Sequence, residues 1–167
     1  MKSPVNVLAT VFVAANVIAG FANPVSAQDE ARVKLGLQTW RSAGCPDCHG
    51  SFADGDKQRD ESPSGPNLRQ RTHLNAETLK TVIGCGRPGS EMPSFEDGAY
   101  TVRPCYGRPL GDAPGNMYPA PAKLTADQID AIATYLLARI IGRGPITKAE
   151  CLAYYDEAQK SWCDDFK

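Results

Sequence analysis

The stretch Cys45-Pro46-Asp47-Cys48-His49 decides how the rest of this chain is interpreted. Two cysteines separated by two residues and followed at once by histidine form the attachment pattern for c-type haem. Each thiol adds to one vinyl group of the porphyrin, so both thiols must reach the same edge of the ring. His49 is then held next to the iron, where its imidazole can be the proximal axial ligand. The motif therefore predicts one haem c, bound covalently through Cys45 and Cys48.

The same cysteine spacing also occurs in zinc sites and in dithiol redox proteins. A zinc site needs about four ligands, and the only histidines are His49 and His73, with no second Cys-x-x-Cys pair in the chain. A thioredoxin-like site would lie in βαβ surroundings, which the sequence does not indicate. Both alternatives stay open, and the histidine directly after Cys48 favours haem.

The first residues predict a secretory signal peptide over 1–27. Lys2 gives a short basic start, an apolar run follows over 5–21, and Val25-Ser26-Ala27 is a small-residue cleavage site. Polar residues and a glycine interrupt the apolar run and no charged stop-transfer flank follows it, so membrane anchoring is not expected. The mature chain would begin at Gln28 in the periplasm.

Composition agrees with export. The chain has 167 residues, which suits one domain, and a formal net charge of −1, which gives no support for nucleic-acid binding. Six cysteines in an exported chain indicate an oxidising compartment. Because haem c is attached outside the cytoplasm, the motif and the signal peptide support each other.

Apolar periodicity and capping patterns predict a helical chain. A helix is expected over 30–43, and a shorter helix over 75–83 that Gly84 ends. Capping boxes open a further core helix at Thr125 and an additional C-terminal helix at Thr147. Between the second and third of these helices lies a long segment rich in glycine and proline, of a length that is often functional.

Three further motifs follow the cysteine motif in order along the chain: Gly65-Pro66-Asn67-Leu68, Met92-Pro93, and the Thr125 helix with Tyr135. Over residues 30–142 the chain therefore resembles a class I c-type cytochrome with a single haem. The resemblance implies an all-α fold of about four to five helices around one covalent haem, with His49 and Met92 as axial ligands. It also implies that the carbonyl group of Pro66 orients His49, and that the last core helix crosses the first near Gly36.

The chain departs from this family pattern in two places. The loop that carries Met92 is called the methionine loop. The stretch 95–123 is long for the connection between this loop and the last core helix, and it contains Met117, a second candidate ligand. Met92 is preferred because it comes first after the 75–83 helix and matches the Met-Pro pattern. The tail 145–167 is also additional. We therefore expect a cytochrome domain over 28–144 and a C-terminal helical extension over 145–167 packed on it.

The four remaining cysteines permit three pairings. Cys85–Cys105 with Cys151–Cys163 is preferred, because the first bridge would close a loop around the candidate ligand Met92. The second bridge requires the tail helix to end near 158–160 and the chain to turn back, with Trp162 packing inward. The alternative is four free thiols.

The resemblance implies an electron carrier rather than an enzyme. The expected donor is a periplasmic dehydrogenase, for example a quinoprotein alcohol dehydrogenase, and the expected acceptor is another cytochrome or a terminal oxidase. The sequence shows no nucleophile with a partnered base, no paired catalytic carboxylates and no phosphate-binding loop. The alternative function is a haem enzyme, or a sensor of peroxide or a gas, which would require an open sixth site without a methionine ligand.

Overall fold

The computed structural model describes residues 27–167, and this part of the chain is mainly helical. Five α-helices and one 3-10 helix follow one another along it: α1 (Ala27–Ser42), α2 (Cys45–His49), α3 (Ala76–Cys85), α4 (Ala126–Arg139), α5 (Lys148–Tyr154) and the 3-10 helix (Glu157–Cys163). Among these residues the β-structure consists of isolated bridges, such as that between Glu96 and Leu124. The all-α class expected from the sequence agrees with this architecture.

The crossing of α1 and α4 forms the centre of the fold. A methyl group built on Gly36 of α1 would lie 2.1 Å from the carbonyl oxygen of Ala131 in α4, so only glycine lets the two backbones approach this closely. One turn further along α1, the Trp40 ring lies 6.4 Å from the ring of Tyr135, centroid to centroid. The crossing near Gly36 is therefore confirmed.

Apolar side chains of α1, α3 and α4 fill the space around this crossing. The buried core includes Val33, Trp40, Leu79, Ile83, Phe95, Leu124, Ile129, Ile132, Leu136 and Ile140. The capping box of α4 is present as predicted: the Thr125 hydroxyl accepts from the Gln128 N–H, and the Gln128 side chain accepts from the Thr125 N–H. The capping residues therefore mark the start of α4, and its apolar residues form the face that is buried in the core.

Helix α3 begins where the sequence predicts but ends later. Its N-cap is Asn75, whose side chain accepts a hydrogen bond from the Thr78 N–H at 2.9 Å. The expectation that Gly84 ends the helix is wrong, since α3 continues through Cys85 and its C-cap is Gly86, with φ +68°. A positive φ is favourable only for glycine, which explains why the chain leaves the helix there.

After α3 the chain forms a long irregular segment, residues 86–125, as its glycine and proline content predicts. It is joined to the end of α3 at several points. Cys85 forms a disulfide with Cys105, and the N–H groups of Phe95 and Glu96 donate to the carbonyl oxygens of Ile83 and Gly84. The predicted first disulfide is therefore confirmed.

The C-terminal extension packs on the segment that follows the cysteine motif. The Arg69 side chain is only 3% exposed; it donates to the carbonyl oxygens of Gly144 and Pro145 and forms an ion pair with Glu150 of α5 at 3.0 Å. Phe52 lies within 5.2 to 5.9 Å of the rings of Tyr154, Tyr155 and Phe166. One buried arginine and an aromatic cluster hold the extension in place.

The second predicted disulfide, Cys151–Cys163, is also present, but the turn that permits it differs from the prediction. The tail helix α5 ends at Tyr154, not near 158–160, and the chain restarts as a 3-10 helix capped by the Asp156 side chain. Trp162 does not pack inward: it is 59% exposed and makes only an edge contact with Tyr155. The aspartate cap, rather than glycine or proline, marks this reversal.

Within the described part of the chain, no helix is long and apolar enough to cross a membrane. The predicted signal peptide lies, apart from Ala27, outside the described residues.

Candidate functional site

The cysteine motif forms its own short helix, α2. Gly44 adopts φ +73° before it and Gly50 φ +81° after it, so the chain turns sharply at both ends. The missing N–H of Pro46 is not needed in a first turn. Because residues three apart in a helix lie on one face, Cys45 and Cys48 point in similar directions. Their sulfur atoms are not joined to each other.

Beside α2 lies one large cavity of about 980 Å³. Its walls are mostly apolar side chains from α1, α3, α4 and the loops: Trp40, Leu68, Leu79, Val82, Ile83, Phe95, Ile132 and Leu136. Volumes of about 300–1,000 Å³ are usual for cofactor sites. The cavity is therefore large enough for an extended, mainly hydrophobic group.

All five predicted site residues line this cavity: Cys45, Cys48, His49, Pro66 and Met92. They come from chain segments up to 47 positions apart, and only folding brings Met92 to the same cavity as the motif. Met117 lies elsewhere, packed against the small cluster that contains Tyr100 and the Cys85–Cys105 bridge. The structure thus separates the two candidate ligands that sequence reasoning left open.

The His49 ring is oriented by the loop that follows the motif. Its Nδ1–H donates to the carbonyl oxygen of Pro66 at 3.2 Å. Gly65 permits this approach, because a Cβ there would lie 2.6 Å from Nδ1 of His49. With Nδ1 engaged, Nε2 is the nitrogen available to a metal. Burial lowers the pKa of His49, so the ring is neutral at neutral pH, as a ligand must be.

The two motif thiols are in surroundings that keep them protonated. Burial raises the pKa of Cys45 to about 12, and burial followed by the Asp47 carboxylate raises the pKa of Cys48. Reactive dithiols and zinc ligands need the opposite shift, because thiolate is the active form. Among residues 27–167 no cluster of three or more histidine, cysteine or acidic side chains could hold a metal ion. The dithiol and zinc alternatives therefore gain no support from this geometry.

Polar groups at the cavity match a cofactor that carries acidic substituents. The Trp40 indole Nε1–H is buried without a hydrogen-bond partner in the described structure, although Trp40 lines the cavity. Arg71, Arg87 and Arg108 also line the cavity and are exposed, and none of the three forms an ion pair with another described residue. Asp47, Glu61 and Glu91 line the cavity as well, so the match to carboxylate substituents rests on the three arginines and the Trp40 donor.

Sequence reasoning missed several residues of this site. The Trp40 ring is part of the core, and no sequence pattern indicates that its indole nitrogen is unpaired. Tyr106 and Tyr118 from the long irregular segment also line the cavity, and so does the exposed His73. No local pattern distinguishes Tyr106, Tyr118 and His73, because they reach the cavity through the path of irregular chain segments.

Comparisons with protein-family models, with curated proteins and with solved structures found no match. The functional argument accordingly rests on the residues and geometry of this chain.

Proposed function

We propose that this protein is a monohaem c-type cytochrome that carries single electrons between periplasmic proteins. One observation carries the proposal: the Cys-x-x-Cys-His helix and Met92 line the same apolar cavity, which also has the size of a cofactor site. A bound haem c would supply a one-electron ferric–ferrous couple. The chain would supply attachment, ligands and a low-dielectric environment.

Attachment would use Cys45 and Cys48. Their protonated thiols lie three residues apart on α2, on the cavity side. Covalent attachment would also keep the imidazole of His49 at a high local concentration next to the iron. The carbonyl group of Pro66 would hold that ring in one orientation, as hydrogen-bond partners of metal-bound imidazoles commonly do.

Met92 would provide the sixth ligand. A thioether favours ferrous iron and so raises the reduction potential. The apolar walls would act in the same direction, because they disfavour the additional positive charge of the ferric state. Both effects suit a carrier that accepts electrons from a dehydrogenase and passes them to another cytochrome or a terminal oxidase.

Export to the periplasm is part of the proposal. Two disulfides outside the haem motif suit an oxidising compartment. A quinoprotein alcohol dehydrogenase is one candidate donor. Carriers of this kind bind through small, transient interfaces of less than roughly 1,200 Å². The part of the cavity wall with exposed tyrosines and arginines is the expected place for such contacts.

Covalent attachment can be tested directly. After denaturing electrophoresis, haem stain should remain on the wild-type chain, and acid-acetone extraction should not remove the colour. The double variant Cys45→Ala/Cys48→Ala is the control and should retain none. Complete extraction of the colour from the wild type would rule out a c-type cytochrome.

The ligand assignment has a matched pair of variants. Met92→Ala should abolish the methionine–iron charge-transfer band and lower the midpoint potential, because the thioether is lost. Met117→Ala should leave both unchanged, because Met117 packs on the Cys85–Cys105 cluster instead. The reverse pattern would assign the ligand to Met117. A high-spin wild-type spectrum that responds to added ligands would favour the enzyme or sensor alternative.

Carrier function is tested by turnover. The purified protein should accept electrons rapidly from a partner dehydrogenase and should not oxidise small organic substrates by itself. Steady oxidation of such a substrate by the cytochrome alone would contradict the carrier assignment.

A further inference from the structure

Tyr106 links the later part of the long irregular segment to Gly86, which lies just before the methionine loop. It directly follows Cys105, and its hydroxyl donates to the carbonyl oxygen of Gly86 at 2.6 Å. Its side chain also lines the cavity. Burial raises the pKa of Tyr106, so the hydroxyl keeps its proton and remains a donor well above neutral pH.

Gly86 in turn lies against the backbone of the methionine loop. A Cβ on Gly86 would lie 2.7 Å from the carbonyl carbon of Pro93 and 2.8 Å from the carbonyl oxygen of Met92. The next residue, Arg87, donates its N–H to that same Met92 oxygen at 3.2 Å. The backbone at Gly86 and Arg87 is therefore in close contact with the backbone of Met92, so the position of one constrains the other.

The backbone of Tyr106 is held in an unfavourable conformation to make this contact. Its φ of +53° lies in the left-handed region, which a residue with a bulky side chain seldom adopts. The Cys85–Cys105 bridge holds the neighbouring residues of both segments together. Gly86 and Tyr106 directly follow Cys85 and Cys105, so the hydrogen bond from the Tyr106 hydroxyl adds a second link beside the disulfide.

We infer that Tyr106 is a positioning residue for the Met92 ligand, acting through its hydrogen bond to Gly86. This inference rests on the proposed function, since it requires Met92 to be the sixth ligand. The bridge joins the two segments, whereas the hydroxyl holds the carbonyl group of Gly86, and with it the Met92 backbone, in the orientation that directs the thioether to the cavity. Tyr106 itself touches no reacting atom.

The test uses the haem-loaded protein and two conservative variants. Tyr106→Phe removes only the hydroxyl. Tyr118→Phe is the matched control, because Tyr118 also lines the cavity and is similarly exposed, while its hydroxyl makes no hydrogen bond with the described residues. Added imidazole competes with the methionine, so its apparent affinity reports how firmly Met92 is held.

Tyr106→Phe should bind imidazole about two- to twelvefold more tightly than the wild type, the factor expected for loss of one hydrogen bond. Hydrogen exchange at the Arg87 amide should accelerate by a similar factor, because this N–H donates to Met92. Tyr118→Phe sets the baseline for removing a tyrosine hydroxyl from the cavity wall, and Tyr106→Phe should exceed this baseline in both quantities. A purely structural role would lower global stability without this selective change in ligand exchange.

Two outcomes would overturn the inference in distinguishable ways. If Tyr106→Phe matches Tyr118→Phe in imidazole affinity and in Arg87 exchange, Tyr106 does not position the ligand, and the proposed function is unaffected. If Met92→Ala binds imidazole no more tightly than the wild type, Met92 is not the ligand. That second result overturns both this inference and the ligand assignment on which it rests.

Discussion

The replacement Gly36→Ala tests the helix crossing that shapes the cavity. The added methyl group would lie 2.1 Å from the carbonyl oxygen of Ala131 and 2.6 Å from Cβ of Tyr135. Ordinary van der Waals contact begins at 3.4 Å, so α1 and α4 must separate by more than 1 Å. Both obstacles are fixed to the α4 backbone, and neither can rotate away.

Two opposing effects determine how much Gly36→Ala changes the free energy of unfolding. Alanine is a better helix former than glycine by about 1 kcal/mol, which favours the variant. Overpacking a well-packed interface costs about 1–3 kcal/mol, and more when the backbone must move. Because the obstacle is the backbone of Ala131, we expect the overpacking term to dominate. Gly36→Ala should lower the free energy of unfolding by about 2 kcal/mol.

Gly84→Ala provides a matched control in α3. Its two nearest neighbours are the ends of side chains, Glu96 Oε2 at 2.7 Å and Arg103 Nη2 at 3.2 Å. These two groups form a partly exposed ion pair with each other, and shifting such a pair costs less than about 1 kcal/mol. The helix-propensity gain should therefore nearly offset the contact, leaving stability within about 1 kcal/mol of the wild type.

The measurement is urea unfolding of the purified protein, followed by circular dichroism. If the proposed haem occupies the cavity, Gly36→Ala should also broaden or shift its absorption, since α1 carries Trp40 and α4 carries Ile132 into the cavity wall. If Gly36→Ala is as stable as the wild type, or more stable than Gly84→Ala, the close approach of the two helices is refuted.

Three further predictions concern the parts of the chain around this core. Replacing Cys85 and Cys105 by serine should cost about 3 kcal/mol in urea unfolding, because their bridge closes a 20-residue loop; unchanged stability would contradict this estimate. Arg69→Met should cost about 2–4 kcal/mol by leaving buried carbonyl groups unpaired, whereas Lys148→Met, which breaks an exposed ion pair, should cost less than about 1 kcal/mol. The pKa of Glu150 is lowered: burial by itself would raise it, but hydrogen bonds from Thr147 at the helix N-terminus and from Arg69 outweigh burial. The stability that this carboxylate contributes is therefore present above pH 4.5 and is lost as the pH falls further. Glu150→Gln should remove that part of the acid dependence in unfolding curves measured from pH 6 to pH 3.

The sequence by itself determined the local features. The spacing in Cys45-Pro46-Asp47-Cys48-His49 predicts haem attachment, which stays a prediction, and the structure adds that these residues form a short helix. Capping boxes at Thr125 and Thr147 predicted the starts of α4 and α5, and both boxes are present. These features depend on hydrogen bonds and side-chain periodicity within a few residues, so sequence alone is sufficient for them.

The disulfide pairing was also predictable, although the chain path around it was not. Cys151 pairs with Cys163 as expected, but α5 ends at Tyr154 because the side chain of Asp156 caps a new 3-10 helix. Helix α3 likewise continues past Gly84, since Gly86 is the residue that adopts a left-handed conformation. Two glycines close together both permit a helix to end, and the one used here is Gly86, whose backbone lies against Met92 and Pro93.

Only the tertiary structure decided which distant residues share the cavity. Met92 and Met117 are both close to a proline in an irregular segment, and the fold places Met92 in the cavity but Met117 on the disulfide cluster. The partners of Arg69 and the unpaired nitrogen of Trp40 were equally invisible in the sequence. Such relations depend on the path of the chain between separate segments, and no short-range pattern encodes that path.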